Sequence, residues 1–482
     1  MTYSSTSLEI GAVGATVLIL FHILMALRFA VGATVLGLLF LHSIFFNQTL
    51  ATEQNPNSLV LSMTYSSTSP PFPKSRASIQ SEMEQVRKVR GGHLISLDLG
   101  SPPQVNQAIM DNRRDLTSIY CDDCSFGKLT ATFSPSFSSS STRDLCNSSL
   151  CNEIHRSDHF CVDPCTQAGC SSATKSTCFK PCPSFSYPDG VGGLLNGTLT
   201  RDTLMVHGNG PGTTREIPNF CFACVCRETN IGNIAGFGRG PLSIPSQLQR
   251  NGFSHCFLGF EFANNPNISS PLVIGDAAIF SKDYLQITPF LKSLRYPNHY
   301  YIGLEAITIG NSSAIKVPLN FSEFDSHGNG GFLVDSTTTY SRFPEPLYLQ
   351  ILSKLWPAIT YHKAKEIEMR TGFDLCYKVP CTNNNTCTDD LHSITFHFRN
   401  NASLVLPQGN LFYAVEAPSE SMVVKCLLFE KMNDDNDFGA AGVLGSYQLQ
   451  NVEVVYNLEQ ETIGLQPTNC ALEAAAQGLH KT

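Results

Sequence analysis

A chain of 482 residues is too long for one small core and divides naturally into two units of ordinary domain size. Only 15% of its residues are charged, and its net charge of −8 excludes the basic footprint of a nucleic-acid binder or of a protein drawn to anionic membranes. Few charges, abundant turn formers and short Val/Ile/Leu/Phe runs predict an all-β fold.

Residues 1–51 read as a signal-peptide region. Met25-Ala26-Leu27-Arg28 is a short basic start, Phe29 to Phe46 an apolar core, and Thr49-Leu50-Ala51 a small-residue cleavage site. Upstream, Met1 to Ser7 recurs as Met63 to Ser69, and Ala12 to Leu18 as Ala30 to Leu36. A tandem duplication, or a true start at Met25, explains both. Leu8 to Met25 just meets the length of a membrane anchor, which is the lesser reading. Residues 52–90 are polar, with Pro70-Pro71-Phe72-Pro73 and a helical-looking Ile79 to Arg90. They form a linker or a pro-segment.

From residue 91 the texture becomes strands and turns. His93 to Leu99 alternates, Gly100-Ser101-Pro102-Pro103 turns it, and Gln107 to Met110 is a strand delivering Asp111. Phe126 to Cys182 is a Ser- and Cys-rich insert with little apolar content, which needs cross-links to hold its shape. Strands follow over Leu194 to Val206, Phe220 to Cys226 and Gly232 to Phe257. A second run starts near Tyr300, delivers Asp335 in Phe332-Leu333-Val334-Asp335-Ser336-Thr337-Thr338-Thr339, and ends at Val452 to Tyr456. The Ala-rich tail, 471–482, reads as loose. Each half carries an Asp-bearing turn and, later, an apolar-apolar-Gly step: Ile234-Ala235-Gly236 and Val443-Leu444-Gly445. Such small residues suit a strand threading beneath the Asp loop.

The 18 cysteines fall mostly between Cys121 and Cys256. Together with the leader and Asn-x-Ser/Thr sequons at Asn147, Asn196, Asn267, Asn311, Asn320, Asn384 and Asn401, they point to disulfides formed in a secretory environment. Cys121-Asp122-Asp123-Cys124 and Cys221-Phe222-Ala223-Cys224 have the look of zinc half-sites, but disulfide knuckles are the preferred reading. Neither a His-Glu-x-x-His helix nor a Gly-x-Ser-x-Gly elbow occurs. The chemistry therefore rests on Asp111 and Asp335. Two carboxylates brought close share one proton and serve as base and acid toward one water.

Several motifs join up: Gly232 to Leu248 with its Gly236-Phe237-Gly238-Arg239-Gly240, Phe253 to Phe257, Asp335 to Thr339, Gly445 to Asn451, and Pro467 to Cys470. On these the chain resembles the pepsin-like aspartic proteases, specifically the plant nepenthesin-type branch that includes xylanase-inhibitor-like proteins. The resemblance implies a bilobal pepsin-like acid-protease fold, with lobes over 91–290 and 291–470 and the Cys-rich insert in the first. It implies Asp111 and Asp335 as the catalytic dyad, Tyr187 on the flap over substrate, Ser336 and Thr338 as supporting residues, and pairing of Cys256 with Cys470 and of Cys376 with Cys426. It implies protein or peptide substrates for a secreted, extracellular or cell-wall monomer (a vacuole being open), with no metal or other cofactor.

The departures are in the first lobe. Where the family has Asp-Thr-Gly-Ser, this chain has Asp111-Asn112-Arg113-Arg114, and Ser118 stands where the family has a tryptophan. Thr337 replaces the glycine of the second cassette. Arginines pointing inward would hold the dyad ionised, whereas arginines in solvent would leave it alone. The expectation is an aspartic endopeptidase weakened by its cassette; the alternative is an inactive binding protein, such as an inhibitor of microbial cell-wall glycosidases.

Overall fold

The structure is a computed structural model describing residues 58–479, apart from 67–91, 123–131, 157–162, 172–174, 176, 189–193, 208–213, 226–231, 263–264, 266, 280–283, 382–386, 388–392, 420 and 433–438. The expected leader or anchor lies outside the described residues. Among those described, no helix is long and apolar enough to cross a membrane.

The first half supplies β1 (Leu59–Ser66), β2 (Gly92–Leu99), β3 (Gln104–Asp111), β4 (Ser118–Tyr120), β5 (Thr142–Arg143), β6 (Phe185–Pro188), β7 (Leu194–His207), β8 (Thr214–Val225), β9 (Ile234–Gly236), β10 (Gly252–Cys256) and β11 (Ser270–Ile274). Next come β12 (Gln286–Leu291), β13 (Tyr301–Ile302), β14 (Leu304–Ile309), β15 (Ile315–Lys316), β16 (Phe332–Asp335) and β17 (Ser341–Phe343). The chain closes with β18 (His362–Lys363), β19 (Cys376–Pro380), β20 (Ile394–Phe398), β21 (Ser403–Leu406), β22 (Phe412–Ser419), β23 (Met422–Leu427), β24 (Phe429–Lys431), β25 (Gly442–Gly445), β26 (Val452–Asn457) and β27 (Thr462–Pro467). This is the expected all-β, bilobal architecture. Alternation drives it: Ile95, Leu97 and Leu99 of β2 face the core at 2% exposure or less, as do Leu199 and Leu204 of β7.

An antiparallel platform carries both halves, in the order β1-β11-β10-β26-β27-β12. On it stand two copies of one motif. In the first, β3 runs parallel to β9 with Asp111 opposite Gly236, while β4 pairs with β9 antiparallel and β8 parallel. In the second, β16 runs parallel to β25 with Asp335 opposite Gly445, while β17 pairs with β25 antiparallel and β24 parallel. The weak echo between the halves of the sequence is thus a repeated strand-pairing pattern, and each apolar-apolar-Gly step threads beside its aspartate strand.

Two segments at the margins of the lobes are ordered. Residues 59–66, placed in a linker or pro-segment, form a sheet strand, because Leu59, Leu61 and Met63 all point into the core. The tail is not loose through residue 479: Cys470–Ala476 is a helix capped by the Asn469 side chain, and Cys470, Ala474 and Leu479 pack on Cys256 and Leu258. An alanine run behind a good N-cap, tethered by a disulfide, has every reason to be helical.

Seven disulfides close the described chain: Cys121–Cys224, Cys146–Cys165, Cys151–Cys182, Cys170–Cys178, Cys256–Cys470, Cys376–Cys426 and Cys381–Cys387. The two pairings implied by resemblance are among them. The knuckle reading is corrected, because Cys121 reaches across to Cys224 on the neighbouring strand pair and Cys221 stays free and buried.

Candidate functional site

Each aspartate ends a buried strand and caps its own turn. Asp111 Oδ1 accepts the Arg113 N–H at 2.9 Å; Asp335 Oδ1 accepts the Thr337 and Thr338 N–H groups at 2.8 and 3.1 Å. This side-chain-to-backbone turn is what aspartate does well, and it fixes each carboxylate at the strand end. The chain beneath leaves no room for a side chain. A Cβ on Gly236 would lie 2.2 Å from the Asp115 carbonyl oxygen, and one on Gly445 would lie 2.7 Å from the Tyr340 carbonyl carbon.

A reciprocal hydrogen-bond grip ties the two turns together. Asn112 N–H donates to Ser336 Oγ at 3.2 Å, and Ser336 N–H donates to Asn112 Oδ1 at 3.0 Å. Ser336 Oγ also donates to the Met110 carbonyl at 3.1 Å, while Asn112 Nδ2 donates to the Val334 carbonyl at 3.0 Å and to the Tyr456 hydroxyl at 3.1 Å. Both residues are buried. Ser336 thus forms one half of the grip, and Asn112, which sequence reasoning passed over as a mere departure, is its counterpart. The available signal was a residue with both donor and acceptor directly after the aspartate, matching Ser336 after Asp335.

Both arginines turn inward. Arg113 Nε lies 3.2 Å from Asp335 Oδ1 and 3.7 Å from Asp111 Oδ1, and its Nη2 donates to Thr337 Oγ1 at 2.7 Å. Arg114 Nε lies 3.2 Å from Asp111 Oδ2. Thr337 Oγ1 donates to Asp335 Oδ1 at 2.9 Å, and Thr338 Oγ1 donates to Asp335 Oδ2. All four carboxylate oxygens are thus engaged by this chain's own donors. The site brings Asp111 and Asp335 together, but across a guanidinium. Burial pushes the Asp335 carboxyl up; the Arg113 charge and the Thr338 and Thr337 hydrogen bonds outweigh it and hold the group below the usual carboxylate range.

Other charges surround this centre. Asp115, 2% exposed, is pushed up to about 7 by burial, although its Oδ2 accepts the Leu242 N–H at 3.0 Å. His299 is held neutral, its ring lowered to about 3 by burial and by the nearby Arg113 charge. Neither was singled out from sequence, since a lone Asp and a lone His carry no motif. Tyr187 sits on the β6–β7 hairpin opposite Leu195, half-buried against the apolar cluster that includes Leu116, Phe185 and Leu242. Its hydroxyl is pushed up to about 12 by burial and by Asp115, and it makes no hydrogen bond to either aspartate among the described residues. The hairpin tip, 189–193, lies outside the described residues. Ser118, buried beside Ala223 and Ile234, fills the tryptophan position with a small side chain.

Comparison with known proteins identifies the architecture. Residues 93–276 match the family model described as xylanase inhibitor N-terminal, and residues 299–467 the one described as xylanase inhibitor C-terminal. The chain belongs to the plant pepsin-like aspartic-protease family that includes the xylanase-inhibitor-like proteins. It is similar to a probable aspartyl protease of Arabidopsis thaliana, at 27% identity over 79% of this chain and 82% of that one. It is also 27% identical to aspartic proteinase nepenthesin-1 of Nepenthes gracilis, over 79% of this chain and 78% of the relative. Among solved structures the fold resembles soybean basic 7S globulin, with a TM-score of 0.58 at 18% identity over 87% of this chain and 98% of that one. It likewise resembles lupine conglutin gamma, with a TM-score of 0.61 at 18% identity over 89% of this chain and 99% of that one.

Proposed function

We propose that this family member is catalytically silent and acts by binding a protein partner. One observation carries the reading: the Arg113 guanidinium lies between the two carboxylates, where a dyad would hold its water and shared proton. Peptide hydrolysis by this chemistry needs one carboxylate to take a proton from water while the other, protonated, donates to the developing oxyanion. A fixed cation at that point holds Asp335 in its ionised form and excludes the nucleophile. Arg113 and Arg114 balance the charges of Asp111 and Asp335, two against two.

The description of the matching family models, xylanase inhibitors, supports a xylan-cleaving glycosidase as the class of partner. The seven disulfides support an extracellular or cell-wall setting. The intact grip and the retained Thr338 favour a second reading, a slow endopeptidase in which Arg113 swings out on substrate binding. Titration with pepstatin separates the two, because its central hydroxyl seeks the position between the carboxylates. Calorimetry at pH 3 to 5 is expected to give no binding heat for the wild type and measurable heat for Arg113→Gly/Arg114→Ser. Tight binding by the wild type would remove the proposal.

A further inference from the structure

The Cys-rich insert holds a cluster of sulfur atoms that the binding reading does not use. Cys146 and Cys165 are bonded to each other, as are Cys170 and Cys178, and the two bridges touch: Cys146 Sγ lies 3.3 Å from Cys178 Sγ. The sulfurs of Cys146, Cys170 and Cys178 all lie within 4.8 Å of one another, and Cys165 is bonded into the same group. Beyond the cysteines themselves, the small cluster they form contains only Ala168. This corner of the insert therefore has almost no apolar core, and cross-linking at the sulfurs is what shapes it.

We propose that, once reduced, these four cysteines form a tetrathiolate site for a thiophilic divalent cation such as Zn²⁺, so that metal replaces disulfides as the cross-link. A dithiol reductant supplies two electrons and two protons to each bridge, two equivalents giving four thiols and two oxidised reductant molecules. Metal binding then releases the four thiol protons and forms four metal–sulfur bonds.

Three features make the site ready. The backbone already converges: Cys170 N–H donates to the Cys165 carbonyl at 2.8 Å and Cys146 N–H to the Lys180 carbonyl at 3.0 Å, independently of the bridges. Lys180 Nζ, bonded to the Ala168 and Gly169 carbonyls at 2.9 and 3.1 Å, brings a positive charge beside a site of net charge −2. Cys170 is only half-buried, which opens its bridge to a reductant. The neighbouring group of Cys151, His155 and Cys182 offers two sulfur ligands fewer and serves as the internal comparison.

The test reduces the full chain with a phosphine, removes metal by chelation and adds Co²⁺ as the spectroscopic probe. The expected result is a thiolate-to-cobalt charge-transfer band with tetrahedral visible bands, saturating at one cobalt per chain, displaced by Zn²⁺ and absent from the oxidised chain. Cys170→Ser/Cys178→Ser is expected to lose the band and Cys151→Ser/Cys182→Ser to keep it. In parallel, mass-spectrometric mapping of iodoacetamide labelling in the reduced wild type is expected to show Zn²⁺ slowing alkylation of Cys146, Cys165, Cys170 and Cys178 at least tenfold relative to Cys151 and Cys182. This readout does not depend on a variant folding. Absence of the band, its survival in Cys170→Ser/Cys178→Ser, or equal labelling with and without Zn²⁺ would each overturn the proposal.

Discussion

Replacing Asn112 by alanine tests whether the turn-to-turn grip holds the site together. The buried amide gives up two donated bonds, to the Val334 carbonyl and the Tyr456 hydroxyl, and one accepted from Ser336 N–H. Three net hydrogen bonds at about 1 kcal/mol each set a floor of about 3 kcal/mol. The alanine also strips these partners from the buried Val334 carbonyl and Ser336 amide, and each stranded group adds about 1 kcal/mol or more of desolvation cost. The Tyr456 hydroxyl is spared, because His255 Nε2 remains 3.2 Å away. The expected loss is therefore about 3–5 kcal/mol, read as the shift of the urea midpoint at pH 7 by intrinsic fluorescence, with an unchanged slope. Asn112→Thr, which returns a donor and an acceptor, is expected to recover at least half. A loss below about 1 kcal/mol, the range of an ordinary surface change, would refute the grip.

Other expectations follow from the same geometry. Gly236→Ala drives a methyl into the Asp115 backbone, which cannot retreat, and is expected to cost about 3 kcal/mol or to abolish soluble expression. Cys221, the free cysteine among the described residues, is buried with its thiol pushed up to about 12 by burial, so it is expected to react with an aromatic disulfide only after unfolding. Stability should fall with acid. His93 and His299 are lowered to about 3 and His255 well below its usual value, all chiefly by burial, so below pH 6.5 the unfolded chain takes up protons the folded chain refuses. Asp115, raised to about 7, works the other way, because between about pH 4 and 7 the folded chain holds a proton the unfolded chain has lost. Three protons against one leaves a net two, or about 2.7 kcal/mol lost per pH unit on going down from pH 6 to 4.5. A flat or rising stability across that range, measured by urea titration, would contradict the burial of these histidines.

Much of this was legible in the sequence, and the failures have physical reasons. Asp111 and Asp335 could be found because a strand ending in an aspartate-capped turn has a local signature, and the Ile234-Ala235-Gly236 and Val443-Leu444-Gly445 steps because close threading forbids side chains. Strand β1 was missed because its alternation, Leu59, Leu61 and Met63, lies between the polar Glu53 to Ser58 and the Ser- and Thr-rich Ser66 to Ser69, which read as linker. The C-terminal helix was missed because an alanine run is ambiguous until something tethers it, here Cys470 bonded to Cys256. The knuckle reading assumed that cysteines close in sequence pair with each other, whereas adjacent parallel strands bring Cys121 to Cys224. The direction of Arg113 could not be read at all, because it is set by where the opposite lobe's Asp335 and Thr337 lie.

Whether Arg113 fills the place of the catalytic water is tested most directly by cleavage of denatured haemoglobin by the purified protein from pH 2.5 to 7. Asp335→Ala and Arg113→Gly/Arg114→Ser should be run beside it. The wild type is expected to stay at the Asp335→Ala baseline at every pH, while the double variant gains acid-dependent cleavage. Cleavage by the wild type that rises in acid and vanishes in Asp335→Ala would contradict this expectation.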